Sequence, residues 1–115
     1  MKQTIEQIKV EIFERQRNRF VVLFELYKLW KDHDRGGKDH INWEKLVNEN
    51  HIKTDNYLTN DIQLYLGREG YAIFWMDGDN AVITYEGMRT VEYLITNPDE
   101  STTIFPSFNS MKITD

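Results

Sequence analysis

The chain has 115 residues, no cysteine and a formal net charge of −5, from 14 basic and 19 acidic side chains. This length fits one domain with a single core, and the lack of cysteine excludes disulfides, thiolate metal sites and a cysteine nucleophile. No apolar run approaches the roughly 20 residues of a transmembrane helix, and the first residues have no apolar signal segment. We therefore expect a cytoplasmic protein that does not bind a membrane.

The charge is unevenly distributed along the chain. Residues 1–33 carry a net charge of +2, from seven basic and five acidic residues, whereas residues 56–89 carry −3, from two and five. A polyanion would therefore be met by the N-terminal third, because the rest of the chain repels it.

The first predicted element is a long amphipathic helix from about Thr4 to Trp30. Its apolar residues recur mostly every three or four positions without Gly or Pro, and a break would fall in the polar run from Glu14 to Arg19. The part after Phe20 is the denser in apolar residues and is the predicted core helix. The first part is expected to project and to pair with another chain.

Basic residues in this helix are a candidate nucleic-acid contact. Arg15 and Arg19 share a face, Arg17 points away, and Glu11 and Glu14 lie close enough to neutralise part of their charge. We interpret the run as a solvated charged turn.

A loop with paired glycines follows, and it holds the histidines and carboxylates that could suggest a metal. Its candidates lie in a predicted glycine loop instead of on a rigid element, and no metal-binding motif supports them: Asp32, His33, Asp34, Asp39 and His40. All three serines lie in the C-terminal tail, away from any histidine in the sequence. We therefore expect no metal, no cofactor, no catalytic residue and no enzyme activity.

The second predicted helix is short. Asn42 is its expected N-cap, and Ile41 before it can pack on Leu46 as a hydrophobic staple. Trp43 and Val47 complete the buried stripe.

The third predicted helix runs from about Asn56 to Glu69 and is ended by Gly70 at the C′ position. One face, the predicted buried face, carries mainly apolar side chains; the residues that share it are Leu58, Ile62, Tyr65, Leu66 and Glu69. The opposite face carries Asn56, Asn60, Gln63 and Gly67. Tyr57 and Leu64 flank the buried face, where half-buried packing and a protein contact are both open.

A β-hairpin is the clearest signal in the sequence. Residues Tyr71 to Trp75 and Ala81 to Tyr85 are rich in aromatic and β-branched side chains, and the segment from Asp77 to Asn80 tolerates positive φ. Thr84 then caps a last helix, which Asn97 and Pro98 end. The domain is expected to span residues 1–98, and an apolar tail, residues 99–115, is expected to dock on it or on a second copy. Trp30, Trp43 and Trp75 are predicted to pack in the core.

The order of these elements and three short motifs resemble the winged helix-turn-helix superfamily. The motifs are Leu66-x3-Gly70, the apolar strand from Tyr71, and the run from Ile83 through Thr84 to Gly87. The ending around Pro98 and Pro106 is similar to that of small uncharacterised bacterial winged-helix proteins. The resemblance implies a mainly α fold with a small β-hairpin (α+β), with a long N-terminal and a C-terminal helix.

The resemblance also implies a homodimeric DNA-binding protein of the transcription-regulator type. The third helix would enter the major groove and the hairpin tip would touch the backbone or the minor groove, through Asn56, Asn60, Gln63, Arg68, Asp77 and Gly78. Only Arg68 is basic there, and the tip carries Asp77 and Asp79, where a phosphate contact would favour Lys or Arg. The alternative is a protein-protein interaction or oligomerisation module of the same fold that does not bind DNA.

Overall fold

The computed structural model describes residues 2–32, 40–52, 56–75 and 78–113, with the backbone alone at residues 56–58. Its elements, in chain order, are α1 (Ile5–Asp32), β1 (His40–Asn42), α2 (Trp43–Glu49), α3 (Asn56–Arg68), β2 (Ala72–Trp75), β3 (Asn80–Ile83), α4 (Tyr85–Thr96) and α5 (Phe108–Met111). The strands form one antiparallel sheet in the order β1-β3-β2. The predicted α+β class is confirmed. None of the helices in the described ranges is long and apolar enough to cross a membrane.

Helix α1 is continuous over 28 residues, so the break considered near Glu14 to Arg19 is absent. Its C-terminal half forms the centre of the core, where Phe20, Leu23 and Leu26 are fully buried. Its first turns extend beyond the domain and leave their apolar side chains exposed. The molecule is correspondingly elongated, with a longest extent of 50 Å.

Strand β1 is an addition to the predicted elements, because the sequence pattern indicates only a loop and a helix cap in this segment. It pairs with β3, from His40 opposite Val82 to Asn42 opposite Asn80. The predicted cap itself is confirmed, since the Asn42 side chain accepts a hydrogen bond from the Lys45 N–H at 3.2 Å. A strand of three residues is too short to show the alternation of apolar and polar residues that predicts a strand. Its formation therefore depends on pairing with β3.

The hairpin follows α3 through the predicted glycine turn. Gly70 has φ +76°, and the N–H groups of Gly70 and Tyr71 donate to the carbonyls of Gly67 and Leu66 at 3.1 and 2.8 Å. This is a Schellman motif, which satisfies the last carbonyls of α3. Strand β3, the second strand of the hairpin, ends at Ile83, earlier than predicted. Thr84 already caps α4, because its side chain accepts a hydrogen bond from the Gly87 N–H at 3.1 Å.

The C-terminal segment packs onto the domain. Phe105 is fully buried against Phe20, with ring centroids 5.7 Å apart, and Met111 is buried in the same core. The Arg17 guanidinium donates to the Met111 carbonyl at 2.9 Å. This segment therefore contributes directly to the hydrophobic core around α1.

Two predictions of burial are wrong. Trp75 is 36% exposed and lies outside the core, with its ring centroid 5.6 Å from that of His40. Side chains alternate along β2, so Ala72 and Phe74 point inward and Trp75 outward. Tyr65 on α3 is 40% exposed because its ring covers an arginine from α1. Trp43, by contrast, is buried as predicted.

Candidate nucleic-acid interface

The orientation of α3 is fixed by its contacts with α1. Ile62 and Leu66 are buried in the core, and Asp61 beside them accepts two hydrogen bonds from Arg19. The distances are 3.1 Å from Nε to Oδ2 and 2.8 Å from Nη2 to Oδ1, and both side chains are less than one tenth exposed. This face of α3 is therefore turned towards α1, which leaves its opposite face outward.

The buried pair corrects the interpretation of Arg19 as part of a solvated turn. Its guanidinium lies 3.6 Å from the centroid of the Tyr65 ring, a cation-π contact that covers the ion pair from outside. Arg17 is likewise used within the fold, through the Met111 carbonyl. The sequence did contain a signal, because Arg19 follows Ile5 and Ile12 at heptad spacing and so lies on the apolar stripe of α1.

The outward face of α3 presents four of its residues beside the hairpin. Asn60, Gly67 and Arg68 are exposed, and Leu64 is 46% exposed between them. Asn56, also predicted to contact DNA, begins the helix, but its side chain lies outside the described part of the structure. Asn60 and Arg68 are therefore the predicted site residues that this face presents to solvent.

Gln63 differs from the other predicted contacts because it is already bonded within the domain. Its Nε2 donates to the carbonyl of Gly78 at 2.9 Å, which ties the hairpin tip to α3. Gly78 has φ +89°, and a Cβ there would come within 2.4 Å of the Gln63 Oε1. The structure brings these two predicted residues together as a brace. Asp77, next to Gly78, lies outside the described residues.

An open groove of about 740 Å³ runs between α3 and β2. Leu64 and Ile73 contribute apolar walls and are 46% and 55% exposed, and Asn60 and Arg68 lie along its polar side. Ile73 was not predicted as a site residue. The period of two along β2 could have identified it, since Ile73 and Trp75 both lie on the face opposite the buried Ala72.

The surface formed by α3 and the hairpin is poor in positive charge. Arg68 is the one basic residue between positions 56 and 83 of the sequence, whereas Glu69 directly after α3 and Asp79 in the hairpin are exposed acidic residues. A phosphate backbone would therefore meet one cation from α3 and the hairpin.

Comparison of the chain with protein-family models, with curated proteins and with solved structures finds no match.

A metal centre finds no support in the described ranges. Within residues 2–32, 40–52, 56–75 and 78–113, no group of three or more His, Asp or Glu side chains is arranged to hold an ion. The loop that contains His33 and Asp39 lies outside these ranges.

Proposed function

We propose that the chain is a winged-helix protein of the transcription-regulator type, which binds duplex DNA through the outer face of α3 and has no catalytic role. The order of its elements supports the proposal, since α2 and α3 are followed by a hairpin that lies against α3. In this arrangement α3 is the recognition helix and the β2-β3 hairpin is the wing.

The observation that carries the proposal is the combination of exposed Asn60 and Arg68 with a wing held beside them. An asparagine amide can form two hydrogen bonds with adenine, and an arginine can bind guanine or a phosphate. Gln63 does not need to contact a base here. By donating to the Gly78 carbonyl, it holds the wing next to α3 before any ligand binds.

The sparse positive charge determines how such binding behaves. With one cation on this surface, each bound copy releases about one counterion from the DNA. A plot of the logarithm of the binding constant against the logarithm of the salt concentration should therefore have a slope near −1. Binding by one copy is therefore weak. Two linked copies on two half-sites gain affinity through effective concentration.

The experiment is a fluorescence-anisotropy titration of random-sequence duplex DNA at about 50 mM salt and then at rising salt, where non-specific binding weakens. We expect binding that is reduced about tenfold by Arg68→Ala, while Arg89→Ala on α4 serves as the matched control. Absence of binding at the lowest salt contradicts the proposal. If a binding sequence is then selected, Asn60→Ala should lose about 1 kcal/mol or more of base discrimination, and Asn48→Ala on α2 should not.

A second candidate function is favoured by the groove between α3 and β2. Leu64 and Ile73 expose apolar surface where a DNA-binding face is usually polar, so the same face could bind an apolar segment of a partner protein. Selection from a random peptide library tests this candidate. The candidate is supported if the selected peptides share an apolar consensus whose binding is lost in Leu64→Glu. Binding should be retained in Leu29→Met, which leaves the groove unchanged. Failure to select any sequence contradicts the candidate.

A further inference from the structure

The first turns of α1 carry an apolar stripe that the domain leaves uncovered. Ile5, Ile8 and Ile12 are 72%, 41% and 46% exposed, and their spacing of three and four puts them on one side of the helix. Single exposed apolar residues are ordinary on protein surfaces, whereas a contiguous stripe on one helix face marks a contact.

The stripe continues the face that the domain covers farther along α1. Ile5 and Ile12 are followed at heptad spacing by Arg19 and Leu26, which are both buried. The helix therefore presents one uninterrupted core-type face, and the domain is long enough to cover only its C-terminal part. Val10 is also exposed, but it lies on the opposite side of the helix.

We propose that a second copy of this chain covers the stripe and that the two projecting segments pair in antiparallel orientation. Charge is compatible with self-association, because residues 2–14 carry two lysines and three glutamates. Because its charges nearly cancel, this segment does not repel the same segment of a second copy. The rest of the chain is acidic and does repel its own copy.

The orientation follows from the position of the domain. Because each domain lies on the same side of α1 as the stripe, a parallel pair would force both domains into the same space. An antiparallel pair places them at opposite ends of the paired segment and brings the N-terminus of each copy towards the domain of the other. The interface is isologous, as expected for a twofold dimer.

Sedimentation velocity of the full chain, from about 1 to about 500 µM to cover Kd values up to the high micromolar range, tests the pairing. We expect a reversible dimer, and the double variant Ile8→Glu/Ile12→Glu should raise its Kd more than about tenfold, because it buries charge at the contact. Val10→Glu is the control for a single added charge, because it places one glutamate on the opposite side of the helix, and it should leave the Kd unchanged. Circular dichroism checks that all variants remain helical.

A monomer throughout the concentration range overturns the proposal, and so does a dimer that tolerates the double variant or that is equally weakened by Val10→Glu. Orientation is tested by energy transfer between dyes at Lys31→Cys, which is specific because the chain has no other cysteine. At about 1.5 Å per residue, antiparallel pairing puts the dyes on the order of 60 Å apart, so weak transfer is expected. Strong transfer overturns the antiparallel arrangement. None of these outcomes depends on whether α3 binds DNA.

Discussion

Arg19 and Asp61 join α1 to α3 by two hydrogen bonds in a site where both side chains are almost excluded from water. A buried ion pair recovers its desolvation cost only when both partners are present and well oriented. The bidentate geometry and the Tyr65 ring above the guanidinium meet that condition. The pair sets which face of α3 is turned outward.

Removal of one partner from this pair should therefore destabilise the domain strongly. We expect Asp61→Ala to lower the free energy of unfolding by about 3–5 kcal/mol, because it leaves the Arg19 charge buried without a partner. The measurement is urea unfolding followed by circular dichroism. The double variant Arg19→Met/Asp61→Leu should be closer to the wild type, and a double variant less stable than Asp61→Ala would contradict this explanation.

Two glycines at helix positions should respond oppositely to alanine. A Cβ at Gly87 would meet the Tyr71 carbonyl oxygen at 2.1 Å, so Gly87→Ala must displace backbone and should cost at least about 1–3 kcal/mol. At Gly67, inside α3, the nearest atom is a Phe74 ring carbon at 3.9 Å, an ordinary contact. Gly67→Ala should stabilise the domain by up to about 1 kcal/mol through helix propensity. Thermal unfolding measures both, and equal effects would refute the distinction.

The Gln63 brace should control the mobility of the hairpin tip more than the stability of the domain. Gln63→Ala removes the hydrogen bond to the Gly78 carbonyl, a loss of about 1 kcal/mol. We expect faster hydrogen exchange at Gly78 and Asp79, with little change in the core of α1. Asn60→Ala is the control on the same face of α3. If both variants show the same exchange at the hairpin tip, Gln63 does not brace the tip.

Stability at alkaline pH should depend on Tyr27. Burial, a 2.7 Å hydrogen bond from its hydroxyl to Glu92 and the charge of that carboxylate raise the pKa of Tyr27 to about 12, from an ordinary value of 10.0. Between these values the folded protein keeps a proton that the unfolded chain has lost. The contribution is complete below pH 10 and is lost as pH rises towards 12.

The measurement is the free energy of unfolding of Tyr27→Phe and of the wild type across this pH range. The wild type should lose stability more steeply between the two pKa values, because the phenyl ring of the variant has no proton to lose. Glu92→Gln should reduce the excess slope by removing the negative charge. Identical slopes in the wild type and Tyr27→Phe would show that Tyr27 does not supply this dependence.

Local signals in the sequence were sufficient for most of the helices and for the hairpin. The caps at Asn42 and Thr84 and the turn at Gly70 were predicted because each is satisfied by backbone groups a few residues away. The same locality explains why the exposed half of α1 could be anticipated, since its stripe is a property of spacing alone.

The tertiary structure decided the features that join distant parts of the chain. Arg19 and Asp61, Gln63 and Gly78, and β1 with β3 each meet only after the chain has folded. Their residue types do not name their partners: a lone arginine suggests a solvated side chain, and a glutamine suggests one that is free to contact a base. The spacing of apolar residues along the sequence indicates which side of a helix or strand is buried. The partner of a polar side chain depends on how distant elements pack together, and residues close in sequence do not specify that packing.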